Sequence, residues 1–193
     1  MLFGVAKART SAFIALLRGI NVGGHNRVPM PELRALCGDL GWEDVESYIQ
    51  SGNLVFRAAG RATGLEGVLE RAIERRFDLS VSVLVRPAAD WPGYVGGNPF
   101  PRASKDEPNL VMLALSKEPP RQDAIDRLRE RAADGERIEQ VGDALWIHYA
   151  GGSGRSKLSP SVLDRLAGSP VTTRNWRTVL KLEELASGRQ EAR

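Results

Sequence analysis

The sequence predicts an α+β protein made of two units that share one plan. Three observations carry this. Short apolar runs of strand length alternate with amphipathic stretches of helical period. The order strand, helix, strand, strand, helix, strand can be read twice along the chain. Between the two readings, Pro87, Pro92, Pro99, Pro101 and Pro108 crowd together with Gly93, Gly96 and Gly97.

In the first half, Ala12–Leu17 is an apolar run typical of a strand buried on both faces. Lys7 and Arg9 ahead of it imitate a secretory leader, but the run is short and Arg18 ends it, so a buried strand is expected. A Gly/Asn-rich loop follows. Met30, Leu33, Leu36, Cys37 and Leu40 then recur at helical spacing, with Pro29 and Pro31 in the opening turn and Gly41 past the end. Val45–Gln50 and Asn53–Arg57 read as strands joined by Ser51-Gly52. Leu65, Val68, Leu69, Ala72, Ile73 and Phe77 mark one face of a helix, and Val81–Val85 closes the unit as a strand.

The second half repeats the order. Leu110–Leu115 is a strand, and Ile125, Leu128 and Ala132 mark a helix. Arg137–Val141 and Ala144–Tyr149 are strands around Gly142-Asp143. Leu158, Val162, Leu163 and Leu166 mark the next helix, Val171–Thr173 is a short strand, and an extra helix covers Trp176–Ala186. The expected architecture is two tandem ferredoxin-like (βαββαβ) domains, residues 1–90 and 108–193, with 91–107 as linker or ordered crossover and a helical turn near Trp91–Tyr94. An RNA-recognition module shares this plan, but its third strand should present aromatics for stacking. Here Asn53–Arg57 offers only Phe56, on the side of Leu54 that faces the core.

Composition narrows the class. Hydrophobic residues make up 42% and charged residues 26%, which excludes a disordered or collagen-like chain. A net charge of +3 is too small for nucleic-acid binding through bulk charge, so anion affinity needs a local cluster. One cysteine permits no internal disulfide and no cysteine-based metal site, which fits a reducing cytoplasm. No apolar run is long enough for a membrane span.

Four polar motifs can carry chemistry. The loop Arg18–Arg27 holds Asn21, Gly23, Gly24 and Asn26 between a strand and a helix, where backbone N–H groups can approach an anion. Pro29 and Pro31 remove two of those donors, and the spacing fits neither the dinucleotide fingerprint nor the P-loop. Gln50, Ser51 and Asn53 flank Gly52 at the hairpin, either as turn chemistry or as amides beside the first loop. Gly151–Lys157 places Arg155, Ser156 and Lys157 before a helix; this is a flexible loop whose Ser156 or Ser159 caps the helix, or an oxyanion cradle. Thr172–Thr178 opens the last helix, with Thr173 or Asn175 as cap and with Arg174 and Arg177 on a shared side. His25 and His148 show no metal spacing, Cys37 lies on an apolar stripe, and no motif calls for a cofactor or metal.

The strings ALLRGINVGGHNRVPMPELRAL, YIQSGNLVF, GRSKLS and TTRNWRTVLKL together resemble the bacterial domain-of-unknown-function 1697 family, from about residue 12 to 186. Its signature segments correspond here to Arg18–Gly24 with Asn26, Val28, Pro29 and Met30, to Gln50–Asn53, to Ser156–Leu158 and to Arg174–Thr178; residues 1–10 are an extension. The resemblance implies two ferredoxin-like domains and no established activity.

The resulting expectation is a soluble cytoplasmic binding module for a phosphate-bearing small molecule or a nucleic-acid backbone. Its site is an interdomain cleft where Arg18, Arg155, Lys157 and Arg174 converge with Asn21, Gln50, Asn53 and Asn175. Such a self-repulsive cluster predicts that Arg174→Ala weakens anion binding while the melting temperature of the unliganded protein holds or rises. The alternatives are an enzyme acting on a phosphorylated or nucleotide substrate, and a structural or interaction protein whose motifs only cap helices and turn corners.

Overall fold

The computed structural model describes residues 9–133 and 135–190. Most of the N-terminal extension, including the leader-like Lys7, lies outside the described residues. The elements are β1 (Ser11–Leu17), α1 (Met30–Asp39), β2 (Glu43–Tyr48), β3 (Asn53–Ala58), α2 (Ala62–Phe77), β4 (Val83–Pro87), α3 (Trp91–Gly96), α4 (Pro101–Asp106), β5 (Val111–Ser116), α5 (Ala124–Arg131), β6 (Arg137–Val141), β7 (Ala144–His148), α6 (Pro160–Ala167), β8 (Val171–Asn175) and α7 (Trp176–Gln190).

The strands form two four-stranded antiparallel sheets, ordered β2-β3-β1-β4 and β6-β7-β5-β8. The two orders correspond strand for strand, as the repeated element order predicts. Alternation along β1 and β5 sets the layers. Phe13, Ala15 and Leu17 face α1 and α2, while Ile14 and Leu16 face the middle of the molecule. Ala114 faces α5 and α6, while Val111, Leu113 and Leu115 face the middle. The middle layer holds α3 and α7, whose Trp91, Tyr94, Val179, Leu182 and Ala186 fill the space between the sheets. Each sheet is therefore buried on both faces, which explains the unbroken apolar runs of β1 and β5.

The proline-rich stretch is an ordered part of this core. Residues 88–90 make a 3₁₀ turn, and α3 and α4 follow. Trp91, Phe100 and Ala103 are buried in the core between the two sheets, and the Trp91 indole donates to the Val179 carbonyl at 2.9 Å. Prolines open α3 and α4 because a first-turn residue needs no N–H donor.

Both inner edge strands are covered by carboxylates, which removes an invitation to pair with another chain. Glu66 and Glu70 of α2 accept from the Val85 and Val83 amides of β4, each at 2.9 Å. Asp164 of α6 accepts from the Val171 amide of β8 at 2.8 Å. Burial pushes the Glu66 carboxyl above its ordinary range, against the opposing pull of the Val85 hydrogen bond and of Lys117 and Arg86.

The helix faces follow the predicted stripes, with Leu69 and Leu163 both buried. Leu69→Ala and Leu163→Ala should each lower unfolding free energy by roughly 2–5 kcal/mol, through lost transfer energy and the cavity left behind. Urea denaturation measures this, and a midpoint that stays in place for either variant would show that the face is misassigned.

Phe56 lies in the first core, its ring 4.1 Å from that of Trp42, centroid to centroid, and nearly parallel to it. It is not available for base stacking. The short strand expected at Val171–Thr173 runs on to Asn175 as β8, and of the two cap candidates Asn175 is the one that caps. Its Oδ1 accepts from the Thr178 amide at 3.0 Å.

Candidate functional site

Three of the four motifs meet, and what they build is a latch. Arg174 stands on β8 opposite Leu113. Its Nε donates to Asn53 Oδ1 at 2.5 Å and Nη1 donates to the Thr173 carbonyl at 2.8 Å. Nη2 donates to the carbonyls of Leu17 at 2.9 Å, Ser51 at 3.0 Å and Gly52 at 3.3 Å. Asn53 is fully buried, and its amide donates in turn to the Tyr48 carbonyl and to Ser51 Oγ, both at 3.0 Å. One guanidinium thus ties β8 of the second half to the β2–β3 hairpin and the end of β1.

Among the described residues the five acceptors of Arg174 are neutral, so carbonyl dipoles take the place of water around its charge. The residue keeps partial exposure, but desolvation of the guanidinium pulls its pKa from 12.5 to about 10. Beside it, Arg18 donates from Nε to the Val171 carbonyl at 3.1 Å, and its Nη2 lies 2.7 Å from an Asp164 carboxylate oxygen. The expectation that Arg18 and Arg174 present free charge to an anion is thereby corrected: protein acceptors occupy both. A second bridge runs through Arg86, which donates to the Ser116 carbonyl at 2.8 Å and lies 3.7 Å from Asp143. Sequence reasoning missed this bridge, because no motif marks a lone arginine at the end of a strand.

The Gly/Ser loop stands apart. Ser156 hydrogen-bonds the Glu136 carboxylate and accepts from the Leu158 amide. Ser159 caps α6 by accepting from the Val162 amide. Arg155 and Lys157 are exposed. Among the described residues, no hydrogen bond or ion pair joins 151–157 to 18–27, 50–53 or 174–175.

The loop after β1 is rigidly built. Val22 and His25 form an antiparallel bridge across Gly23-Gly24, whose φ values of 58° and 81° suit a hairpin turn of the primed type. Asn21 and Asn26 are also left-handed. Asn21 closes the base of the loop, since its Oδ1 accepts from the Val28 amide and its Nδ2 donates to the Val28 and Gln50 carbonyls. Asn26 Nδ2 donates to the Gly19 carbonyl at 3.0 Å. Both asparagines thus serve the loop itself and do not present free amides.

Between this loop, the start of α1 and the end of β2 lies an open groove of about 760 Å³. It is lined by Asn21, Gly24, Arg27, Val28, Pro29, Met30, Pro31, Ser47, Ile49 and Gln50. Arg27 and the Gln50 side chain are exposed. Arg34 reaches Ser47 Oγ at 2.6 Å beneath it. Ile49 is exposed and holds φ +50°, an uncommon conformation for a β-branched residue. Of the residues expected to bind a ligand, Asn21, Gly24, Arg27 and Gln50 line this groove. Ile49 was not anticipated, because neither its backbone strain nor its exposure is visible in a sequence.

Other reactive groups have structural settings. The Cys37 thiol is buried and pushed up to about 12, and burial likewise raises the Tyr94 and Tyr149 phenols to about 12. His148 is buried on β7, between β5 and β6; its Nε2 is 3.0 Å from Glu107, and Arg137 donates to Nδ1. Among the described residues no group of three or more His, Cys, Asp or Glu gathers as a metal site, and no helix is long and apolar enough to cross a membrane.

A solved structure with the same architecture is known. "The structure of conserved bacterial protein SP0830 from Streptococcus pneumoniae" aligns with a TM-score of 0.71 at 25% identity, covering 92% of this chain and 99% of that one. No curated protein matches the chain. The family model described as "Protein of unknown function (DUF1697)" matches residues 10–146, a span that includes the loop after β1 and the β2–β3 hairpin, so the chain belongs to that family.

Proposed function

We propose that this chain is a ligand-binding module of two tandem ferredoxin-like domains, joined through 91–107, and that it takes a phosphate-bearing ligand in the groove beside the Val22–His25 hairpin. The observation that carries this reading is Arg27. It is exposed at the groove, with no ion pair or side-chain hydrogen bond among the described residues, on a loop held in shape by left-handed residues and by Asn21. A connector needs none of that order, whereas a binding loop gains affinity from being pre-organised. Arg27 is also the one titratable side chain in the groove lining, which favours binding over turnover.

The test is a thermal-shift titration with pyrophosphate. Binding to the native state alone raises the melting temperature. Arg27→Ala should leave the unliganded protein unchanged, since the side chain supports nothing, and should weaken binding by roughly 1.5–3 kcal/mol. A wild-type protein that gains no stability from pyrophosphate overturns the reading. That outcome favours the structural alternative, which draws its own support from Arg174 and Asn53, motif residues spent on joining the two halves.

A further inference from the structure

We infer that the pocket beside Trp176, remote in sequence from the groove and independent of it, is a recognition site for a nucleotide unit, formed by an indole for the base and by Arg177 and Lys105 for the phosphate. Trp176 belongs to the last signature segment, yet the latch does not use it. Trp42, Trp91 and Trp146 are buried, whereas Trp176 keeps part of its indole exposed. The Trp176 ring is held against that of Trp146, centroids 5.8 Å apart and tilted by 58°, so the exposed part is fixed in place.

The indole lines a pocket of about 550 Å³, within the usual size range for a small ligand. Val95 and Leu180 supply apolar walls, and Leu180 is one of the few large apolar side chains left exposed. Arg177 and Lys105 stand at the same pocket, both exposed, and neither has an ion pair or side-chain hydrogen bond among the described residues. Ser104 is buried in the pocket lining, and its Oγ accepts from Asn98 Nδ2 at 2.7 Å, which leaves its own O–H to donate. A flat π-surface, two cations and one hydroxyl donor match a planar ring bearing an anion. Aromatic stacking with a cationic track is how unpaired bases are held.

Three of the four indoles are buried, so quenching of tryptophan fluorescence reports on Trp176. The probes are adenosine monophosphate, adenosine, and a twelve-nucleotide single-stranded oligothymidylate. Saturable quenching by adenosine monophosphate, at least about tenfold weaker for adenosine, supports a site for free nucleotides. Saturable quenching by the oligonucleotide alone supports the same chemistry read from a strand. In either case Trp176→Phe should abolish the signal. The double variant Lys105→Ala/Arg177→Ala, altered only at exposed positions, should weaken binding about tenfold or more, and Arg27→Ala should leave it unchanged. No saturable quenching by any probe overturns the inference, as does equal binding of adenosine and its monophosphate or unchanged affinity in the double variant.

Discussion

Arg174→Ala should lower the free energy of unfolding by about 3–5 kcal/mol, because it leaves several buried neutral acceptors without a donor at roughly 1–3 kcal/mol each. The substitution strands Asn53 Oδ1 and takes the guanidinium donor from the carbonyls of Leu17 and Ser51, and Asn53 has no access to water that would replace the lost donor. This reverses what a free cationic cluster would do, where removing one positive charge relieves repulsion. Arg174→Lys should recover only part of the loss, because an ammonium presents a point charge where the site offers acceptors to a planar fork. Asn53→Ala should be costly for the same reason. The double variant should cost clearly less than the two single losses added together, since both remove one shared contact. Urea denaturation of the four proteins measures this. An Arg174→Ala midpoint within error of wild type would mean that the latch contributes nothing to holding the halves together.

The fold was legible because its signals are local and periodic. The runs in β1 and β5 show strands buried on both faces, and the Leu65–Phe77 stripe shows a helix that covers a sheet. The middle layer was harder to read. Prolines 87 to 108 signal broken structure, yet Trp91, Tyr94 and Phe100 among them are core residues, and a proline count says nothing about where its neighbours pack. Strand β4 starts two residues later than its apolar run suggests, since Val81 packs in the core before the ladder with β1 begins at Val83.

The meeting of three of the four motifs was legible by position, the Gly/Ser loop does not join them through any hydrogen bond or ion pair among the described residues, and the arginines were misread by role. Residues 18, 50–53 and 174 do converge, as polar motifs far apart in sequence suggested. What sequence cannot show is the supply of acceptors. A backbone carbonyl is present at every residue, so the carbonyls of Leu17, Ser51 and Gly52 that satisfy Arg174 leave no mark in the side-chain pattern. Asp164, which engages Arg18, reads from sequence as one more surface carboxylate on a helix.

Gly52→Ala should be the most damaging of the single-methyl substitutions, at about 3–5 kcal/mol, and three physical causes add in it. The backbone sits at φ +77°, where an L side chain costs about 1–2 kcal/mol. The new Cβ would lie 2.7 Å from Leu17 Cβ and 2.9 Å from Ile20 Cδ1, in a part of the core with no slack, and overpacking of this kind costs typically 1–3 kcal/mol. Any shift that relieves the clash also moves the Gly52 carbonyl, which accepts from the Leu17 amide at 2.7 Å and from Arg174. Gly24→Ala separates these causes. It shares the left-handed backbone, at φ +81°, but its added Cβ meets nothing within 4 Å. It should therefore cost only the conformational share, about 1–2 kcal/mol. Urea midpoints of the two variants, compared at equal m-values, isolate the contribution of the close approach between hairpin, β1 and latch. If Gly52→Ala proves no worse than Gly24→Ala, the hairpin yields freely at Leu17, and the tight packing assigned to this corner is wrong.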